Sequence, residues 1–125
     1  MKTILIIEDD DAIRENTAEL LELSNYRVLT ADSGHTGFDL AKEFHPDIIL
    51  CDIMMPGTDG RKFQRLAKDD TLLSKIPLIF FSAGSVSAEY QKDLVKGPDG
   101  YLKKPFTEEE LLEVISRTMQ KSVML

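Results

Sequence analysis

The acidic run Glu8-Asp9-Asp10-Asp11 stands near the N-terminus of this 125-residue chain, and a further aspartate, Asp52, ends the apolar stretch Ile48 to Cys51. Ser82 follows Leu78 to Phe81, and Lys104 immediately precedes Pro105. Carboxylates gathered at about 4 Å repel by roughly 1 kcal/mol per pair in water, and by more in drier surroundings. A cluster of them therefore needs a compensating cation. A hard divalent ion such as Mg²⁺ (or Mn²⁺) suits an oxygen-only set, because it takes a few carboxylates, a carbonyl and several retained waters. Glu8, Asp9 and Asp52 meet that requirement. Asp10 and Asp11 fit the N-terminal cap of a following helix better than they fit a ligand set. Ser82 would add a hydroxyl donor and Lys104 a positive charge.

These residues act together only if the fold collects them. Five short apolar runs recur: Thr3 to Ile7, Arg27 to Thr30, Ile48 to Cys51, Leu78 to Phe81 and Gly100 to Leu102. Three are continuous rather than alternating, the pattern of strands buried on both faces of a parallel sheet. Helical spacing fills the gaps. A first helix is predicted from about Ala12 to Ser24, with Ile13, Thr17, Leu20, Leu21 and Ser24 on one side and Asn25 as its C-terminal cap. A second runs from about Ser33 to Glu43 and is stopped by Pro46, and a third from Gly60 to Asp69. A fourth is expected from Ser87 to Lys96, ended by Gly97-Pro98. In the last, Thr107 and Glu110 form a capping box, and Leu111, Leu112, Ile115 and Met119 share a face. Five strand–helix alternations imply an α/β fold: a doubly wound, five-stranded parallel sheet in a three-layer sandwich. Sites in such sheets form outside the carboxyl ends of the strands, which is where the acids, Ser82 and Lys104 fall.

The exit of the third strand reads Asp52-Ile53-Met54-Met55-Pro56-Gly57-Thr58-Asp59-Gly60. Together with Glu8-Asp9, Ser82-Ala83 and Lys104-Pro105-Phe106, in this order, it resembles the receiver domains of two-component response regulators. The resemblance spans essentially the whole chain and implies a flavodoxin-like (βα)5 fold. It makes Asp52 the phosphoacceptor, and Glu8 and Asp9 the acidic pair that holds Mg²⁺ together with Asp52 and the Met54 carbonyl. Ser82 and Lys104 become the partners of the phosphoryl oxygens. Tyr101 takes the place of the family's aromatic switch residue, although a strand tyrosine is also ordinary packing. Phosphate would come from a sensor histidine kinase or a histidine phosphotransfer protein. The output would be a changed binding face, made by the fourth helix, fifth strand and fifth helix, for a downstream protein. The resemblance implies no enzyme beyond the domain's own phosphorylation and dephosphorylation. Gly97-Pro98 departs from the family's usual Gly-Ala, which bears on the partner-facing surface rather than on the acidic site.

Composition narrows the function further. A formal net charge of −7 without a Lys/Arg cluster argues against nucleic-acid binding. The apolar runs are far short of a bilayer span, and acids follow the first one at once, so no membrane partner and a cytoplasmic location are expected. A lone Cys51 within an apolar run reads as a small buried hydrophobe, and His35 and His45 as surface residues. The expectation is one receiver domain over residues 1–125 with no output domain, since little chain follows the last helix. An interaction module that has lost the reaction would lack part of the acidic set. An aspartyl-phosphate hydrolase would want an acid two residues beyond Asp52, where Met54 stands. A flavodoxin-type cofactor binder would want a Ser/Thr/Gly-rich loop after the first strand.

Overall fold

Backbone pairing joins five parallel strands in the order β2-β1-β3-β4-β5: β1 (Thr3–Ile7), β2 (Arg27–Ala31), β3 (Ile48–Asp52), β4 (Leu78–Ala83) and β5 (Gly100–Lys104). The structure is a computed structural model that describes residues 1–53, 60–83 and 100–124, with side chains described outside 54–61, 82–99 and 121–125. The expected fourth helix from Ser87 to Lys96, Gly97-Pro98 and Met54 lie outside the described residues.

Strand parity builds the core. Leu5, Ile7, Ile49, Cys51 and Phe80 join a cluster with Ala41, Phe63, Ala67 and Leu73 on one side of the sheet. Their neighbours Ile4, Ile6, Ile48, Leu50, Ile79, Phe81 and Leu102 join a second cluster with Ala18, Leu21, Leu111 and Ile115 on the other side. This is the two-residue side-chain period of a strand buried on both faces, and it accounts for the unbroken apolar runs. Helices α1 (Asp11–Leu23) and the C-terminal helix (Glu108–Met124) cover the side of Ile4 and Ile6; α2 (Gly34–Phe44) and α3 (Gly60–Asp69) cover the side of Leu5 and Ile7.

Local chemistry sets the helix ends. Asp10 caps α1 by accepting from the Ile13 amide at 3.0 Å. Its C-terminal cap is Ser24 rather than Asn25, and Asn25 takes the left-handed position just beyond, at φ 70°. Ser33 caps α2 through the Thr36 amide, and His45 closes that helix at φ 48° before Pro46. The capping box of the C-terminal helix is reciprocal: Glu110 N donates to Thr107 Oγ1 at 3.1 Å and Thr107 N donates to Glu110 Oε1 at 3.0 Å. Its covered face is rotated from the expectation: Leu111, Val114, Ile115 and Thr118 are buried, while Leu112 and Met119 lie at the margin. A 3₁₀ turn, Leu73–Lys75, was not expected from the sequence.

Candidate functional site

Parity also places the chemistry. Glu8 follows Ile4 and Ile6, Asp52 follows Ile48 and Leu50, and Lys104 follows Leu102, so all three side chains emerge on the side of the sheet that α1 and the C-terminal helix cover. Because β1 and β3 are hydrogen-bonded neighbours, with Ile7 opposite Cys51, their exits bring Glu8 beside Asp52. The β3–β4 and β4–β5 pairings then carry Lys104 to the same edge.

Glu8, Asp9 and Asp52 each present a carboxylate oxygen, all within 4.8 Å of one another; Glu8 and Asp52 are buried and Asp9 is exposed. Lys104 Nζ forms a hydrogen-bonded ion pair with Glu8 Oε1 and lies 3.3 Å from Asp52 Oδ2. The same ammonium sits 4.7 Å from the centre of the Phe81 ring, and Phe106 meets Phe81 edge-on at 6.3 Å. A cation over a ring face is stabilised by the ring quadrupole, so Phe81 both shields Lys104 and orients it. The Lys104–Pro105 peptide is cis.

Among the described residues, three carboxyls face one ammonium, which leaves this part of the cluster short of positive charge. Burial pushes the Glu8 carboxyl up to about 8; Asp52 pushes it the same way, and the hydrogen bond and charge of Lys104 oppose both. Burial of Glu8 beside Asp52 thus sets up a demand for positive charge beyond what Lys104 supplies. An oxygen-only donor set with that deficit fits a hard dication.

Arg14, one turn into α1, was not anticipated from the sequence. Its Nη1 donates to the Glu8 carbonyl at 2.9 Å while Nη2 pairs with Asp11, which anchors the backbone on which Glu8 and Asp9 stand. The i, i+3 spacing of Asp11 and Arg14 is a visible sequence signal, but the carbonyl it reaches is not. Asp10 is the helix cap; its side chain accepts from the Ile13 amide, and its own amide donates to Glu8 Oε2 at 3.4 Å. Ser82 lies near the end of β4, paired in register with Lys103, and its side chain lies outside the described residues. Tyr101 stands apart from the cluster, opposite Phe80 on β5 and 37% exposed. An apolar groove of about 570 Å³ runs beside Lys104, between Ile13, Thr17 and Leu20 of α1 and Pro105-Phe106. Among the described residues no helix is long and apolar enough to cross a membrane.

Comparison with known proteins points in one direction. The family described as response regulator receiver domain matches residues 4–116. The phosphate regulon transcriptional regulatory protein PhoB of Pseudomonas aeruginosa is 35% identical over 97% of this chain, which spans only 53% of that protein. The polar-differentiation response regulator DivK of Brucella ovis is 32% identical over 91% of this chain and 93% of its own length. Among solved structures, the chemotaxis response regulator CheY4 of Vibrio cholerae superimposes with a TM-score of 0.85 at 28% identity, covering 94% of this chain and 98% of that one. The receiver domain of a sensor histidine kinase from Pseudomonas aeruginosa, solved with a magnesium ion coordinated in its active-site cleft, gives 0.87 at 26% identity over 95% and 98%. A match that begins in β1 and ends in the C-terminal helix encloses the whole acidic edge. The chain is thus a member of the response regulator receiver domain family, and phosphorylation-dependent signalling in a two-component system is its function.

Proposed function

We propose that Asp52 accepts the phosphoryl group, with Glu8 and Asp9 as the metal-holding pair, Lys104 as the phosphoryl-binding cation and Ser82 as a hydroxyl donor. The observation that carries this reading is the setting of Asp52. Its carboxylate is buried at the end of β3, 3.3 Å from Lys104 Nζ and within 4.8 Å of carboxylate oxygens from Glu8 and Asp9.

A carboxylate attacks phosphorus poorly unless the charge that gathers as the two anions approach is neutralised. An Asp52 oxygen forms the new bond to phosphorus as the P–N bond of a phosphohistidine donor breaks, and the electron pair leaves with the imidazole. Lys104, held against Phe81, neutralises a phosphoryl oxygen. Mg²⁺ (or Mn²⁺), held by Glu8, Asp9, Asp52 and the Met54 carbonyl, would supply further positive charge beside the acceptor. The donor is a sensor histidine kinase or a histidine phosphotransfer protein, and the apolar groove beside Lys104 offers it a seat next to Asp52.

Phosphorylation raises the charge at Asp52 to about −2 and adds acceptor oxygens that compete with Glu8 for Lys104. Ser82 is drawn toward them, Tyr101 turns inward from its exposed position, and a downstream protein reads the altered face of β5 and its flanking helices. In this reading residues 1–125 act as one receiver domain in the cytoplasm and catalyse only their own phosphorylation and dephosphorylation. Incubation with a small acyl phosphate and Mg²⁺, followed by intact-mass measurement, tests it. The wild type should gain one phosphoryl group and Asp52→Asn none; an unmodified wild type, or an adduct that survives in the variant, overturns the assignment.

A further inference from the structure

Strand β2 lies at the edge of the sheet, with β1 as its neighbour on one side. The Arg27 amide donates to the Lys2 carbonyl at 2.9 Å, and the Ala31 carbonyl accepts from the Glu8 amide at 3.0 Å. Along a strand the residues that bond to one neighbour alternate with residues whose backbone groups face the other way. Arg27, Leu29 and Ala31 therefore serve β1, and the N–H and C=O groups of Val28 and Thr30 point outward. Such a row is a template for another strand. A groove of about 630 Å³ runs along this edge, lined by Val28 and Thr30 on one side and by the flank of α1 on the other. Glu15, Glu19 and Glu22 line it from α1, and Leu23 stands exposed at its end. The three glutamates are exposed and make no ion pair among the described residues. Arg14, which also lines the groove, is held by Asp11 at 2.5 Å and by the Glu8 carbonyl at 2.9 Å.

We infer that the β2 edge takes an extended basic segment of a partner protein as a sixth strand, its backbone pairing with Val28 and Thr30 and its alternate Lys or Arg side chains facing Glu15, Glu19 and Glu22. The open backbone groups supply the pairing, as in other cases of strand addition, and the glutamates supply the choice of sequence. The spacings agree. Successive glutamates rise by about 4.5–6 Å along α1, and alternate side chains of a strand are about 6.6 Å apart. A second copy of this chain is disfavoured as the occupant, because it would bring the same acidic row to the groove and the chain carries a net charge of −7.

The test is titration of the ¹⁵N-labelled chain at low ionic strength, followed by amide chemical shifts, with three short capped peptides: alternating lysine and threonine, the same peptide N-methylated at every amide, and alternating glutamate and threonine. The lysine peptide should give saturable shifts at Val28 and Thr30, with a Kd on the order of 1 mM for so short a strand. Its N-methylated form keeps the charge without the backbone donors and should bind at least about 5-fold more weakly; the glutamate peptide should leave β2 unmoved. Joint Glu15→Gln, Glu19→Gln and Glu22→Gln should weaken the lysine peptide about 10-fold while keeping or raising the urea midpoint, because it relieves like-charge neighbours on α1. Thr30→Pro removes an outward amide that β1 does not use, a change an edge strand tolerates, and should cost a similar factor. Should that variant fail to fold, the N-methylated peptide makes the same comparison on the wild type. No saturable shifts at β2 with the lysine peptide, equal affinity for its N-methylated form, or unchanged affinity in the glutamine variant would overturn the site. Concentration-dependent shifts of Val28 and Thr30 without peptide would overturn it too, with a second copy as the occupant.

Discussion

Replacing Gly37 with alanine should destabilise the domain, although the same exchange at an exposed helical position usually helps. Gly37 lies in α2 and is buried against β1. A Cβ built there would stand 2.7 Å from Ile7 Cγ1, closer still to Ile7 Cδ1, and 3.5 Å from Cγ2. Carbon–carbon contact is favourable near 3.5–4.0 Å, so Cγ1 has to retreat by roughly 1 Å. Rotation about χ2 moves Cδ1 alone; Cγ1 moves only with the stiff χ1 of a β-branched residue or with the backbone. That backbone is paired on both sides, to Ala31 in β2 and Cys51 in β3. Overpacking of this kind costs about 1–3 kcal/mol, against a helix-propensity gain of at most about 1 kcal/mol. A net loss of about 1–2 kcal/mol should lower the urea midpoint by roughly 1 M at unchanged slope. Ile7→Ala removes the obstructing atoms, so in that background Gly37→Ala should be neutral or stabilising, with a coupling of about 2 kcal/mol between the sites. Additive effects, or a raised midpoint for Gly37→Ala alone, would refute the reasoning. Because Ile7 immediately precedes Glu8, the single variant should also bind Mg²⁺ more weakly.

Glu8, with its carboxyl pushed up to about 8, ties the acidic site to pH. A raised carboxyl pKa means that the folded state holds a proton the unfolded chain has lost, so this group's contribution favours folding at low pH and is lost as pH rises through about 8. Metal-free protein should therefore lose stability between about pH 5 and 8 and level off above, Mg²⁺ affinity should rise over the same range, and Glu8→Gln should flatten both curves in calorimetric titration. Asp70 behaves oppositely: the Lys42 hydrogen bond and the Leu73 and Leu72 amides hold it down at about 2, so its stabilisation is present above its ordinary range and lost as pH falls through about 2. Asp70→Ala should shift acid unfolding, followed by circular dichroism, to higher pH. Thr107→Ala breaks the capping box and should cost about 1 kcal/mol in urea unfolding.

The apolar runs located every strand, because residues buried on both faces leave an unbroken hydrophobic signature. They placed the ends of β4 and β5 short, since Ser82–Lys103 and Ala83–Lys104 continue the ladder with backbone groups that need no apolar side chain. The 3₁₀ turn escaped notice because three residues are too few for a helical period, and its buried Leu73 resembles any loop hydrophobe. Asp52, Glu8, Asp9 and Lys104 were legible from their places at strand ends. Arg14 and Phe81 were not: one acts through a backbone carbonyl, and the other is a core aromatic until Lys104 lies across its ring.

The distance along the chain between the partners of the acidic site has a kinetic meaning. Lys104 reaches Glu8 across 96 residues and Asp52 across 52, so the site spans nearly the whole sheet in sequence. Every strand pairing here is parallel and non-local, and closing such long loops makes the last contacts slow to form. A growing chain that has emerged only through β4 carries Glu8 and Asp52 but no lysine between them. Completion of β5 is what installs the cation, so competence to be phosphorylated should appear late in folding, with the last strand, and can serve as a clock for it.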